Sequence, residues 1–132
     1  MVARASRTPS PLVVTAALMA ANVLLASGFA VTGLIQPEAV LPHGQAPNSA
    51  SMIFAGYAAA RTLPLGVCAL IAIWKRSISG VVILGAVTAL IQIADASVGL
   101  LQHDPAKTIG PLAIGVAQLL SVGWLIRRGE PA

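Results

Sequence analysis

Charged residues are scarce in this chain of 132 residues: they make up 9% of it, against 57% hydrophobic residues. Soluble domains carry about 25% charged residues, so the composition excludes an ordinary soluble fold and is typical of a membrane protein. The net charge of +4 does not indicate nucleic acid. Apart from Arg61, the basic residues fall at the ends of apolar segments, where they set topology and suit anionic lipid headgroups.

Cysteine and histidine are nearly absent. The single cysteine, Cys68, excludes an intramolecular disulfide, and its position within an apolar segment indicates a packing role. The two histidines, His43 and His103, fall in different predicted loops without a thiol nearby, so metal-ligand spacing is missing. We therefore predict no metal and no cofactor, and we interpret both histidines as solvated loop residues.

Four apolar segments are each long enough to cross a membrane. A hydrocarbon core of about 30 Å needs roughly 20 residues of helix. The segments cover about residues 11–35, 51–74, 78–101 and 108–126 and leave little for a soluble domain. The sequence therefore predicts one all-α domain over residues 1–132, a four-helix transmembrane bundle in the cell membrane.

Basic residues predict the orientation of this bundle. They occur in pairs before the first segment, between the second and third, and after the fourth, whereas the other two loops carry only Lys107. By the positive-inside rule, both termini and the second loop are cytoplasmic. The pairs are Arg4 with Arg7, Lys75 with Arg76, and Arg127 with Arg128.

The first segment also has features of a signal peptide. Arg4 and Arg7 precede its apolar run, and Ala26-Ser27-Gly28 resembles a small-residue cleavage site. The apolar core of a signal peptide spans roughly 7 to 15 residues, whereas this run continues to Ile35. A retained transmembrane helix is therefore favoured.

Arg61 and Asp95 are the charges inside the predicted helices. Each costs roughly 2.5 to 3.5 kcal/mol at membrane depth, so such residues usually face a bundle interior and have a partner. Counting about 1.5 Å per residue places both in the outer half of the membrane. We expect a buried ion pair in which the guanidinium holds the carboxylate. Pro64 removes the helical bond to the Ala60 carbonyl and frees it for the same guanidinium.

Uncharged polar residues share this depth. Counting along the helices puts Gln92 and Gln118 roughly 15 Å from the outer end, Tyr57 nearer 10 Å and Asn22 nearer 20 Å. Helical spacing predicts two polar stripes that face each other across the bundle. One joins Gly85, Thr88, Gln92, Asp95, Gly99 and Gln102, and the other joins Tyr57, Arg61, Pro64 and Cys68.

These residues suggest a pocket for a lipophilic small molecule that enters from the bilayer. Asp95 is the candidate acid or base, with Arg61 as its orienter and Tyr57 beside it, which suits isomerisation, cyclisation or epoxide opening. The candidate ligand-binding residues are Gln92, Gln118 and Asn22. Purely structural roles remain open, as hydrogen bonds between helices for the amides and a register-fixing salt bridge for the ion pair.

Two other functions also remain open. A proton-coupled transporter is one, because small multidrug exporters have four helices and an intramembrane carboxylate. Their acidic residue lies in the first helix, however, and the first helix here has none. The other is an accessory or assembly subunit whose polar residues lock the bundle, form a homo-oligomer or dock another membrane protein.

Short motifs suggest a family. The run Tyr57-Ala-Ala-Ala-Arg61, the turn Lys75-Arg76 and the run Ile93-Ala-Asp95 resemble a bacterial family of small four-helix membrane proteins classed as a domain of unknown function. The chain is similar, more remotely, to DoxX-like membrane proteins. The resemblance covers about residues 10–127 and implies the four-helix fold and the importance of Arg61 and Asp95, but no substrate.

Overall fold

The structure, a computed structural model, describes residues 9–42 and 44–128. Four α-helices account for most of this part of the chain, and a short 3-10 helix, Pro37–Ala39, follows the first. Each α-helix is long and apolar enough to cross a membrane. The predicted four-helix transmembrane bundle is confirmed. Its helices are α1 Pro11–Ile35, α2 Ser49–Trp74, α3 Ile78–Leu101 and α4 Pro105–Arg128.

Polar caps extend two helices beyond their apolar segments. The helix α2 begins at Ser49 rather than residue 51, because the Asn48 side chain accepts the Ser51 N–H at 2.9 Å and the Ser51 hydroxyl oxygen accepts the Asn48 N–H at 2.9 Å. The helix α4 begins at Pro105 rather than residue 108, because the Asp104 carboxylate accepts the Lys107 N–H at 3.2 Å. Hydropathy alone does not register such caps.

Glycines allow α3 and α4 to pack against each other at the backbone. A Cβ at Gly99 would lie 2.5 Å from the carbonyl carbon and oxygen of Lys107, and one at Gly115 would lie 2.9 Å from the carbonyl oxygen of Ala89. Pro111 has no N–H to donate to that Lys107 carbonyl. The carbonyl therefore lies against Gly99, and close backbone approach holds these two helices together.

The remaining helices pack around a small core, and large apolar side chains cover the outside. Gly66 of α2 lies against Ser27 and Val23 of α1. The outward-facing side chains suit contact with lipid, as in a membrane bundle whose helices associate mainly by packing. The buried core is Met19, Val23, Ala69, Val81 and Leu125, and the most exposed apolar residues include Phe54, Trp74, Leu101 and Leu120.

Lys107 fastens the two loops at the end of the bundle that we predict to be outer. Its ammonium group donates to the Val40 carbonyl at 3.1 Å and pairs with the Asp104 carboxylate at 3.3 Å. The Lys107 backbone N–H also bonds this carboxylate, and together these contacts hold the pKa of Asp104 below its usual value. The loop after α1 is thereby tied to the turn between α3 and α4.

The Gly99 contact predicts a sharp cost for one added methyl group. We expect Gly99→Ala to lower the free energy of unfolding by about 1–3 kcal/mol, because rigid backbone must move to make room. Thermal unfolding in detergent, followed by the fluorescence of Trp74 and Trp124, measures the change. Gly110→Ala is the matched control, since a Cβ there meets nothing within 4 Å. Equal midpoints for the two variants would contradict the packing argument.

Candidate functional site

Three buried amides meet at the centre of the bundle, as their similar depths predict. Asn22 lies on α1, Gln92 on α3 and Gln118 on α4. Asn22 is 1% exposed, Gln118 is fully buried and Gln92 is 7% exposed. One polar site therefore joins three of the four helices.

The amides bond one another in a single direction. Gln92 Nε2 donates to Asn22 Oδ1, and Asn22 Nδ2 donates to Gln118 Oε1 at 2.6 Å. Gln118 Nε2 then donates to the Thr88 hydroxyl at 2.8 Å and to the Gly85 carbonyl at 2.9 Å. Successive bonds in such a chain polarise one another, which strengthens each of them in a low-dielectric interior.

Two hydroxyl groups extend this site toward the end of the bundle at which α1 begins and α4 ends. Ser121 donates to the Gln118 carbonyl at 2.8 Å, and Thr15 donates to the Ser121 carbonyl at 3.0 Å. Neither residue was predicted from the sequence. A signal existed, because Thr15 precedes Asn22 by two helical turns and Ser121 follows Gln118 by one.

The polar groups of this site are hydrogen-bonded within the protein and include no ordinary acid or base. In the described part of the chain, no buried side-chain nitrogen or oxygen lacks a hydrogen-bond partner. The network contains amides and hydroxyls but no carboxylate, imidazole or amine, so it offers no general acid or base of ordinary pKa. Within residues 9–42 and 44–128, no cluster of three histidine, cysteine or acidic residues is placed to hold a metal ion. These hydrogen bonds join α1, α3 and α4 to one another.

Arg61 does not join the buried site. It lies on the exposed side of α2, where its Nε donates to the Tyr57 carbonyl of its own helix at 3.2 Å. Neither of the predicted bonds of the guanidinium, to Asp95 and to the Ala60 carbonyl, forms. The reason is that small residues take the buried side of α2, since they let helices approach closely. These residues are Ala59, Gly66, Ala69 and Ala72.

Asp95 lies at the edge of the buried stripe of α3 and is exposed. Of the other stripe residues, Gly85, Thr88, Gln92 and Gly99 are buried as predicted, whereas Gln102 is exposed. Among the described residues, the ion pair that forms joins Lys107 to Asp104 and leaves Asp95 out. The expected pairing of Arg61 with Asp95 inside one chain is therefore wrong.

The rest of the α2 stripe is exposed with Arg61. Tyr57 is 62% exposed, and Pro64 and Cys68 also face outward, so the prediction that Cys68 packs inside the bundle is wrong. His103 is exposed in the turn before α4, as expected of a solvated loop residue. His43 lies outside the described residues.

A separate concave surface lies along the C-terminal half of α1. Its volume is about 760 Å³, and its walls are almost entirely apolar, with no charged side chain among them. None of the predicted site residues lines it. Leu24, Leu25, Gly28, Phe29 and Thr32 of α1 form it together with Ala21, Ala39 and Val40.

No protein-family model, curated protein or solved structure matches this chain. The resemblance to a family of small four-helix proteins, and more remotely to DoxX-like proteins, therefore stays a prediction. So do the catalytic roles of Asp95, Arg61 and Tyr57 and the ligand-binding roles of Gln92, Gln118 and Asn22.

The amide network predicts a large effect of removing its central member. We expect Gln118→Leu to lower the free energy of unfolding by about 1–3 kcal/mol, because Asn22 and Thr88 lose their partner in a buried site. Chemical or thermal unfolding in detergent measures the loss. The double variant with Asn22→Leu should lose less free energy of unfolding than the two single variants lose in sum, since both changes remove the same bond between Asn22 and Gln118.

The matched control for these amide changes is Gln45→Leu, at an exposed loop position. It should leave the unfolding midpoint unchanged. If Gln118→Leu is equally silent, the network does not stabilise the bundle.

Proposed function

We propose that this protein is an assembly subunit of the cell membrane: a self-contained four-helix scaffold, with cytoplasmic termini, that docks in the bilayer through Arg61 and Asp95. The observation that carries the proposal is a contrast in polar bonding. Buried polar side-chain atoms of the described residues all have partners. Arg61 and Asp95, at membrane depth, are exposed on the outside of the bundle.

The energetic cost of this exposure supports docking. A charged side chain facing lipid at the centre of a helix costs roughly 2.5 to 3.5 kcal/mol. The single backbone bond of Arg61 to Tyr57 leaves most of the guanidinium donors free for another group. An oppositely charged group on a second bundle relieves both costs at once, because it removes each charge from lipid and gives it a hydrogen-bonded partner.

The closed interior supports docking over a ligand pocket in the amide layer. A molecule entering that layer would have to displace bonds that the amides already make with one another, such as Asn22 to Gln118 at 2.6 Å. A partner that bonds Arg61 and Asp95 would displace no side-chain bond between helices. Acid-base chemistry on a lipophilic substrate, and proton-coupled transport, stay hypotheses for the exposed pair.

Apolar substitutions test this function. We expect Arg61→Leu and Asp95→Leu each to shift the protein from a larger complex to the monomer, with a loss of assembly of about 100-fold, as the cost of one unpaired charge implies. Native electrophoresis and chemical crosslinking in intact membranes measure the complex. Thermal unfolding of the detergent-purified variants shows that the bundle itself is intact.

The controls remove charges of the same type elsewhere. Arg127→Leu and Glu38→Leu alter exposed residues at the helix end and in the first loop, so the complex should survive both. A wild-type protein that is monomeric in its own membrane, or a complex that persists in both test variants, contradicts the proposal. Mass spectrometry of the same extracts also reveals any lipophilic ligand lost with the charges.

A further inference from the structure

The two exposed membrane-depth charges are opposite in sign and nearly equal in depth. Arg61 precedes the inner end of α2 at Trp74 by 13 residues, and Asp95 follows the inner end of α3 at Ile78 by 17 residues. At 1.5 Å per residue, these positions lie about 20 Å and about 25 Å from the inner ends. The difference is about one helical turn, which an arginine side chain spans.

The charges also lie on neighbouring helices. Near the connecting turn, α2 and α3 touch closely, since a Cβ at Gly80 would lie 2.9 Å from the Ala72 Cβ. Arg61 lies three helical turns along α2 from Ala72, at nearly the same angle around the helix, but unlike Ala72 it is exposed. Arg61 and Asp95 are both exposed, so the edge of the bundle formed by α2 and α3 carries two charges that its own chain does not bury.

We propose that the partner in the membrane is a second copy of this chain, with Arg61 of each copy bonded to Asp95 of the other. This inference rests on the proposed docking function and names its partner. A two-fold axis along the membrane normal keeps every residue at its own depth. Two identical copies therefore bring each guanidinium to the level of a carboxylate, and one interface forms two ion pairs.

The surroundings of the charges suit a helix interface. Apolar side chains flank them on both helices: Ile91 is 42% exposed and Val98 51% exposed beside Asp95, and Phe54 is 71% exposed on α2. Small residues next to the charges, Ala58, Ala60 and Ala94, are exposed and permit close approach of a second bundle. Charge complementarity thus coincides with a surface that helices can pack against.

Charge reversal in two separate copies tests the proposal. A copy with Arg61→Asp carries two carboxylates at this edge, and a copy with Asp95→Arg carries two guanidinium groups. Each alone meets like charge in a second identical copy, so we expect its self-association to weaken at least tenfold. Coexpressed, the two variants restore both ion pairs across the interface and should associate as the wild type does.

The measurement is copurification of differently tagged copies from membranes in mild detergent, together with energy transfer between labelled copies in vesicles. Rescue in the mixture requires pairing between chains, because each variant still holds like charges within itself. Loss of association in both single variants without rescue in the mixture overturns the proposal when both variants keep the wild-type unfolding midpoint. Arg127→Asp mixed with Glu38→Arg is the control pair, and each of these should self-associate normally.

Crosslinking supplies a second measurement that does not depend on charge reversal. In a Cys68→Ser background, one tagged copy carries Arg61→Cys and the other carries Asp95→Cys, so that the second ion pair is retained. Oxidation in membranes should form a disulfide between the two tags. Arg61→Cys with Leu112→Cys is the control, since Leu112 lies on α4 at a similar depth, about 24 Å from Arg128.

The outcomes separate this inference from the proposed function. A disulfide that forms only when both cysteines are in the same chain overturns pairing between copies. If Arg61→Leu and Asp95→Leu release a different membrane protein while tagged copies do not copurify, docking stands and the second copy is wrong. If the wild type has no partner of either kind in its membrane, both proposals fail.

Discussion

The bundle depends on one constraint: a polar group inside a membrane must find its hydrogen bonds within the protein. Asn22, Gln92 and Gln118 meet this constraint together, and the small residues around them make it possible. Gly85 is the clearest case, because its carbonyl accepts from Gln118 at 2.9 Å and a Cβ at this position would press against Val122 at 3.0 Å. The hydrogen bonds of the amides therefore depend on the close packing of the helices.

The helix α2 stands apart from this arrangement. The side-chain bonds of the amide layer join α1, α3 and α4, whereas α2 is held by small residues, with Gly66 against Ser27 and Val23 of α1. A helix that is attached by its alanines and glycine turns its larger side chains outward. The exposure of Arg61 therefore follows from how α2 is bound, and the same packing creates the edge at which the two charges are presented.

Position along the bundle was predictable from the sequence, and rotation of the helices was not. Segment length and hydropathy gave α1 and α3 within the bounds observed, and depth counting grouped the three amides that the structure brings together. It also grouped Arg61 with Asp95, which lie within about one helical turn of each other along the bundle but form no ion pair. The error came from assigning the polar stripe of α2 to the interior. The residues of the α2 stripe do lie on one face of the helix. The sequence does not say, however, whether this face or the alanine face packs against the other helices. Thr15 and Ser121 were missed because a single hydroxyl in an apolar helix is a weak signal, and only their helical register with Asn22 and Gln118 pointed to the same site.

Because the amide network is complete within one chain, folding of the bundle does not depend on assembly. A bundle whose interior is already satisfied can insert and fold as a monomer before it meets any partner. In the proposed dimer, an unassembled copy differs from an assembled one by two uncovered charges rather than by an unfolded core. Under this proposal a copy without a partner is already folded, and Arg61 and Asp95 are the features that distinguish it from a paired copy.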